Sequence, residues 1–214
     1  MNVHKLQAIF FDFDGVILDS THIKTEAFKR MFEPFGDNIV NKVLEHHLNH
    51  GGISRVEKIA HYYDTFLNSP LSREELEHSC LQFSNRVKDL VVNAAWIPGM
   101  KEFLQSYHTK ADFYVVSGTP EDELKEIIER RTMTGFFKRI MGSPIKKPIH
   151  VNLVLESERL KPEYCIFVGD ALTNYYTALE TGVHFIGIQG EVYFPPGTTV
   201  LPDGINLRTA IEQI

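Results

Sequence analysis

Length, composition and charge exclude several classes of protein for this chain. Its 214 residues, of which 43% are hydrophobic and 23% charged, are typical of a globular protein with one large domain or a core carrying an insertion. The formal net charge of −6 and the lack of a basic stretch argue against a broad nucleic-acid-binding surface. We expect a cytoplasmic protein without membrane contacts, because no signal peptide pattern precedes the first predicted strand and no apolar run is long enough to span a bilayer.

The first predicted strand ends in two aspartates that are separated by one residue. Residues 8–13 are apolar enough to be buried on both faces of a sheet, and Asp12 and Asp14 stand at the end of this run, before Gly15. Ionised carboxylates in such a place are unfavourable unless a metal ion or strong hydrogen-bond donors receive them. The pair therefore predicts a chemical role for both side chains.

A long helical interval follows the first strand and contains no predicted strand. Ser72 and Glu75 have the spacing of a capping box, and apolar residues recur behind them at helical intervals. We therefore predict that a helical cap over residues 16–96 is inserted into a core formed by residues 1–15 and 97–214.

Strands and helices alternate after this interval. Four apolar segments are predicted strands: residues 112–116, 139–141, 164–168 and 184–188. The helical pattern after residue 120 has acidic residues in its first turn and arginines in its last, an order that suits the helix dipole. The alternation predicts an α/β fold with a doubly wound parallel sheet, a Rossmann-like arrangement with helices on both faces.

Polar motifs follow four of the predicted strands. Since ligands of doubly wound sheets bind beyond the carboxyl ends of the strands, we expect these motifs to meet at one site. Carboxylates suit Mg²⁺, while a hydroxyl group, helix-terminal N–H groups and a lysine suit a phosphate. In chain order the motifs are Asp12 with Asp14, Ser117-Gly118-Thr119-Pro120, Lys146-Lys147-Pro148 and Gly169-Asp170.

The order and spacing of these motifs resemble those of the haloacid-dehalogenase-type phosphohydrolases, the large family of phosphatases with an aspartate nucleophile. Within that family the chain looks like the members with a helical cap, such as phosphoglycolate phosphatases and β-phosphoglucomutases. The resemblance covers nearly the whole chain. It rests on Asp12-Phe13-Asp14-Gly15-Val16 with Asp19-Ser20, on Val116-Ser117-Gly118-Thr119-Pro120, on Lys147-Pro148, on Val168-Gly169-Asp170 and on the turn Pro98-Gly99.

The resemblance implies different catalytic roles for the first two aspartates. Asp12 would attack phosphorus and form an aspartyl-phosphate. Asp14 would protonate the leaving alkoxide and then deprotonate the water that hydrolyses the intermediate. Mg²⁺ would be held by the carboxylates of Asp12 and Asp170 and by the backbone carbonyl of Asp14. The implied activity is that of a Mg²⁺-dependent phosphatase, a monomer or homodimer, acting on a small phosphorylated metabolite such as a sugar phosphate or a phosphoglycolate-like acid.

The resemblance also implies that Ser117, the backbone N–H of Gly118 and Lys147 bind phosphoryl oxygens. One position departs from the family pattern, since Asn174 stands where an acidic residue usually follows the last motif. If Asp170 starts a helix, Asn174 shares its face and can orient a metal-bound water without adding charge. We therefore expect a lower Mg²⁺ affinity with the chemistry retained.

Other interpretations of the same residues are open at this stage. Asp170, Ser117 and Thr119 could each cap a helix, and Lys146 competes with Lys147 for the phosphate. A phosphosugar mutase shares the predicted core and differs in its cap and in the lifetime of the intermediate. A regulatory or binding homologue without turnover is a further alternative, which the amide in the last motif favours and the intact nucleophile, acid, serine and lysine oppose.

The cap contains candidates for substrate selection. Arg55 ends the segment Gly-Gly-Ile-Ser-Arg, and in capped members of the family a loop of the Gly-x-x-Arg kind faces the active site. A guanidinium there suits a carboxylate or a second phosphate, and an exposed helix arginine is the alternative. His46, His47 and His50 are predicted to be solvated rather than to bind a metal. Weaker candidates are His22, Glu26, Lys58 and Arg86, and Trp96 is expected to pack at the hinge.

Overall fold

A computed structural model describes residues 6–214, so the first five residues of the predicted core segment 1–15 lie outside the described part. The strands are β1 (Ala8–Phe11), β2 (Asp112–Pro120), β3 (Arg139–Ser143), β4 (Cys165–Gly169), β5 (His184–Ile188) and β6 (Val200–Leu201). They form one parallel sheet in the order β3-β2-β1-β4-β5-β6. The predicted doubly wound α/β fold is confirmed.

Helices pack on both faces of the sheet and form the interval between β1 and β2. The helices before β2 are α1 (Thr21–Phe32), α2 (Asp37–Asn49), α3 (Arg55–His61), α4 (Arg73–Val92) and α5 (Met100–Tyr107). Those that follow are α6 (Glu121–Arg130), α7 (Lys147–Ser157), α8 (Leu172–Thr181) and α9 (Leu207–Glu212). No helix in the described range combines the length and the hydropathy that crossing a membrane requires.

The strand limits differ from those predicted mainly at the carboxyl ends. The predicted strand 8–13 ends at Phe11, although the backbone N–H of Asp12 still donates to β4 at 2.9 Å before the chain turns through Gly15, whose φ is +76°. β2 continues beyond its predicted end to Pro120, because its pairing with β3 resumes after a register shift. The two-residue β6 is too short to leave a recognisable apolar pattern.

Both faces of the central strands are buried, which explains the continuous apolar run at the start of the chain. Phe10 stacks on Tyr114 on one face, with ring centroids 5.2 Å apart. Phe11 meets Phe113 edge-on on the other face, with centroids 5.0 Å apart. Because successive strand residues point to opposite faces, these neighbours belong to two separate apolar clusters.

Helices α1 to α4 pack around an aromatic cluster of their own. The ring centroid of Phe28 lies 4.4 Å from that of Phe83 and 5.7 Å from that of Tyr62. Two chain segments connect these helices to the sheet, and a bridge between Leu18 and Trp96 pairs them. The predicted capping box at the start of α4 is confirmed. The division of the chain into a core domain and a cap domain stays a prediction.

Candidate active site

The carboxyl ends of the central strands and the helices of the cap enclose a cavity of about 610 Å³. On the sheet side it is lined by Asp12, Asp14, Ser117 and Asp170, and on the cap side by Lys24 and Lys58 among others. The strand order explains this convergence, since β1 lies between β2 and β4 and all three end at the same edge of the sheet. The structure thus brings together the acids and the serine that the motifs predicted.

Asp12 is a buried carboxylate that receives three hydrogen bonds. Its Oδ1 accepts from the backbone N–H of Phe13 at 2.7 Å. Its Oδ2 accepts from the Lys147 ammonium and from Asn174 Nδ2, the latter at 2.8 Å. These bonds offset the cost of placing a carboxylate inside the protein, and they set its orientation at the end of β1.

Asn174 is fully buried and both ends of its amide are used. Its Oδ1 accepts from the backbone N–H of Ala171 at 2.9 Å, while its Nδ2 donates to Asp12. The side chain therefore ties the start of α8 to Asp12. Its predicted role beside a metal-bound water stays a hypothesis, and the contact with Asp12 is an additional one that the motif pattern did not indicate.

Asp14 is paired with a lysine that the sequence motifs do not include. Its Oδ1 accepts from Ser20 Oγ at 2.6 Å, and its Oδ2 accepts from Lys24 Nζ and from Thr119 Oγ1, the latter at 3.0 Å. Burial by itself would raise the pKa of Asp14. The charge of Lys24 and the hydrogen bonds from Lys24, Ser20 and Thr119 outweigh burial and hold that pKa below its usual value.

Asp170 is an acid without an ion-pair partner in the described part of the chain. Burial and the charge of Asp12 raise the pKa of Asp170 to about 8, although the charge of Lys147 acts in the opposite direction. The neighbouring backbone approaches so closely that a Cβ at Gly15 would lie 2.2 Å from Asp170 Oδ2. A glycine is therefore required at the turn after the first strand.

The carboxylates of Asp12 and Asp170 fit a divalent cation chemically. Two neighbouring acids that share a single lysine are the kind of site at which Mg²⁺ binds, through oxygen ligands. Within residues 6–214 no three His, Cys, Asp or Glu side chains are grouped to hold a metal ion. The predicted set contains two carboxylates and the backbone carbonyl of Asp14, with Asn174 in place of a third acid, and it stays a prediction.

The lysine and helix-cap alternatives are resolved by the structure. Lys147 is buried and bonded to Asp12, whereas Lys146 is exposed, so Lys147 is the lysine at the site. Helix α6 begins after Pro120 without a side-chain cap, and α8 begins after Ala171. The interpretation of the serine, threonine and aspartate of these motifs as helix caps is therefore wrong.

A glycine loop of the cap closes directly on the end of the sheet. A Cβ at Gly118 would lie 2.6 Å from the carbonyl oxygen of Gly52, so only a glycine permits this approach. Thr173 Oγ1 donates to the carbonyl oxygen of Gly51 at 2.7 Å from the opposite side. The loop therefore forms part of the cavity wall next to the predicted phosphate-binding groups.

Arg55 is buried and bonded within the protein. Its guanidinium donates to both carboxylate oxygens of Glu123, at 2.6 and 2.9 Å, and to Ser84 Oγ at 2.6 Å. The side chains of Arg55 and Glu123 are 4% and 6% exposed. Since Arg55 lies on α3 and Glu123 on α6, this bidentate pair joins the cap helices to the sheet-packed helices. The exposed-arginine alternative is wrong, and substrate binding by Arg55 stays a hypothesis.

Three histidines of the cap lie close together. The His46 ring stacks on His50 with centroids 3.9 Å apart and lies 4.5 Å from His61. Burial lowers the pKa of His46 to about 4, and burial together with the charge of Lys58 lowers that of His47 to about 3. Because His47 is half-buried and bonded to Lys58, the prediction that it is solvated is wrong.

Two charged partners of predicted residues escaped the sequence analysis: Lys24, which lines the cavity, and Glu123, which binds Arg55. Lys24 lies one helical turn after Ser20, and this spacing of four residues on one helix face was the available signal. Glu123 was interpreted only as an acid in the first turn of a helix. Among the weaker cap candidates Lys58 is buried at the cavity. His22 and Glu26 also line the cavity and are exposed, whereas Arg86 is exposed and does not line it.

Comparisons with known proteins place the chain in a family. The family model described as haloacid dehalogenase-like hydrolase matches residues 9–188. The chain is 24% identical over 196 residues to the probable pseudouridine-5′-phosphatase of Drosophila melanogaster, covering 86% of this chain and 82% of that protein. It is 25% identical over 198 residues to the phosphorylated carbohydrates phosphatase of Thermotoga maritima, covering 85% and 84%.

The solved structures agree with this assignment at the level of the fold. The β-phosphoglucomutase of Clostridium difficile has a TM-score of 0.79 to this chain at 20% identity, covering 97% of this chain and 96% of that one. The prediction of a hydrolytic enzyme is confirmed by the family match, which spans most of the chain. This chain belongs to the haloacid dehalogenase-like hydrolase family.

Proposed function

We propose that this chain is a Mg²⁺-dependent phosphatase that hydrolyses a small phosphorylated metabolite through an aspartyl-phosphate on Asp12. The observation that carries the proposal is the buried Asp12 carboxylate, which Lys147 and Asn174 orient at the edge of the cavity. Asp14 supplies an acid–base group beside it, as two-step phosphoryl transfer requires. The names of the two curated relatives, both phosphatases, support the reaction class.

The first step transfers the phosphoryl group to the protein. A carboxylate oxygen of Asp12 attacks phosphorus, and the bond between phosphorus and the ester oxygen breaks. The proton of Asp14 passes to the leaving alkoxide. Mg²⁺, when bound by the carboxylates of Asp12 and Asp170 and the backbone carbonyl of Asp14, offsets the negative charge of the phosphoryl oxygens.

The phosphoryl oxygens are bound by groups near the carboxyl end of β2 and at the start of α7. Ser117 Oγ, the Gly118 N–H and the Lys147 ammonium take this role. Lys147 already lies against Asp12, so it can contact a phosphoryl oxygen without leaving the site. A lysine in this place reduces the repulsion between a phosphate dianion and the surrounding carboxylates.

The second step requires Asp14 as a base. Its carboxylate removes a proton from water, and the water oxygen attacks phosphorus. The bond between phosphorus and the Asp12 oxygen breaks, so that phosphate leaves and the Asp12 carboxylate is restored. Because the pKa of Asp14 is held below its usual value, the arrangement in the structure suits this step. For the first step Asp14 must carry a proton, so we expect bound substrate to separate Lys24 from the Asp14 oxygen.

The substrate class follows from the cavity and the relatives. A volume of about 610 Å³ accommodates a molecule of the size of a sugar phosphate. The relatives are named for pseudouridine 5′-phosphate and for phosphorylated carbohydrates. A phosphorylated sugar or a small phosphorylated acid is therefore the proposed substrate. The proposed enzyme is a monomer, or a homodimer in which each chain has its own cavity.

The test is phosphate release from a panel of sugar phosphates, nucleoside phosphates and phosphoglycolate, with Mg²⁺ and with EDTA. We expect release with Mg²⁺ and loss of release with EDTA. Asp12→Asn should abolish turnover, while Asp37→Asn, at an exposed site on α2, should retain it. Isomerised product without phosphate would support a mutase, and activity that survives Asp12→Asn would overturn the mechanism.

A further inference from the structure

Lys58 is a buried cation on the cap side of the cavity, and its partners are uncharged. The residue is 3% exposed and lines the cavity. Its Nζ donates to His47 Nδ1 at 2.8 Å and to the backbone oxygen of His47 at 3.1 Å. In the part of the chain that the structure describes, no Asp or Glu oxygen forms an ion pair with Lys58.

The other basic groups around the cavity have acidic partners inside the protein. These pairs are Lys24 with Asp14, Lys147 with Asp12, and Arg55 with Glu123. Asp170 has no such partner, and the proposed Mg²⁺ would offset its charge on the sheet side. The cavity is also lined by the exposed acids Asp19, Glu26 and Glu191, and within the described residues none of them forms an ion pair with Lys58. Lys58 is therefore a buried cation without an acidic partner among the described residues on the cap side.

Burial deprives this ammonium of hydration, and an anion beside it would compensate that loss. Burial and the positive charges of Lys24 and Lys147 lower the pKa of Lys58 to about 7, which reflects the missing negative charge. His47 accepts at Nδ1 and is neutral, so its proton lies on Nε2, which forms no hydrogen bond within the described residues. The ammonium and this N–H are two donors on the cavity wall.

We propose that Lys58 and His47 form a second anion-binding subsite, so that the substrate carries a carboxylate or a second phosphate besides the phosphoryl group at Asp12. The inference rests on the proposed phosphatase function, because that function places the phosphoryl group at Asp12. It narrows the substrate from any small phosphate monoester to a phosphorylated acid or a bisphosphate. Lys58 takes this role rather than Arg55, whose guanidinium is already bound by Glu123.

Calorimetric binding of matched ligands to the Asp12→Asn protein with Mg²⁺ tests the subsite without turnover. One pair is phosphoglycolate and 2-hydroxyethyl phosphate, and the other is 1,3-propanediol bisphosphate and 3-hydroxypropyl phosphate. In the first pair a hydroxymethyl group replaces the carboxylate, and in the second a hydroxyl group replaces one phosphate. We expect at least one doubly anionic compound to bind about tenfold or more tightly than its partner. The pair that shows this preference distinguishes a carboxylate from a phosphate.

The same measurement on substituted proteins assigns the preference to Lys58. Lys58→Met, added to Asp12→Asn, should abolish the preference, whereas Lys42→Met at an exposed position of α2 should preserve it. Thermal melting checks that each variant is folded. A preference that survives Lys58→Met overturns the subsite, as does the lack of any preference or of any binding in both pairs. Failure of the phosphatase function is a separate result, seen as no phosphate release by the unsubstituted protein.

Discussion

The sheet side and the cap side of the cavity differ in how their charges are compensated. On the sheet side Asp12 and Asp14 each contact a lysine of the same chain. On the cap side Lys58 donates to the neutral His47 and lies over the Phe28 ring, without a carboxylate partner in the described part of the chain. The comparison shows that the two aspartates proposed for the reaction have charged partners within the fold, whereas Lys58, the residue proposed to select the substrate, has none among the described residues.

The largest effect is expected from a substitution on the sheet side of the cavity. Asp14→Asn should lower kcat by roughly 10²- to 10⁴-fold, because an amide can neither give a proton to the leaving group nor take one from water. Phosphate release under saturating substrate measures the loss. Asp122→Asn, at an exposed position of α6, is the matched control and should retain kcat. A loss of less than about tenfold would show that acid–base catalysis does not depend on this side chain.

The ion pair that joins the two sides has the next largest expected effect. Arg55→Ala should lower the free energy of unfolding by about 3–5 kcal/mol, because it leaves the buried Glu123 carboxylate without its partner. Urea denaturation measures the change, with the exposed Arg73→Ala as the control. The double variant Arg55→Met with Glu123→Leu should recover most of the loss. If Arg55→Ala unfolded at the same urea concentration as the unsubstituted protein, the expected contribution of this pair to stability would be contradicted.

The amide next to the nucleophile provides a third test. Asn174→Asp should lower the Mg²⁺ concentration for half-maximal activity by roughly tenfold, because it adds a carboxylate beside the proposed metal ligands. The Mg²⁺ dependence of phosphate release is the measurement, and the exposed Asn152→Asp on α7 is the control. An unchanged Mg²⁺ dependence would mean that the side chain at position 174 does not contribute to metal binding.

The last expected effect concerns the cap side and is seen in the pH dependence of stability. The pKa of His47 falls from its usual 6.5 to about 3 on folding, so between these values the unfolded chain binds a proton that the folded chain does not. Stability should therefore rise with pH over this range and reach its full value above about pH 6.5.

His47→Gln should make this rise shallower, as measured by urea denaturation between about pH 4 and pH 6. His78→Gln removes an exposed histidine of α4 and should keep the slope of the unsubstituted protein. Equal slopes in all three proteins would contradict the burial of a neutral His47 beside Lys58.

The regular part of the fold followed from short-range patterns. The predicted strand 184–188 agrees with β5, and the capping box of Ser72 and Glu75 forms as expected, because both depend on residues close in the chain. The extension of β2 to Pro120 depends on renewed pairing with β3, which lies much later in the chain. Local patterns carry no information on such pairing.

The convergence of Asp12, Ser117 and Asp170 could be inferred from the sequence by itself, since parallel strands that alternate with helices must end at one edge of the sheet. The partners of the charged residues were decided only by the tertiary structure. Lys24 meets Asp14, Arg55 meets Glu123 and Lys58 meets His47 across separate elements. The packing angles of the cap helices determine these contacts, because they set which side chains lie within bonding distance, and neither motif spacing nor periodicity specifies such angles.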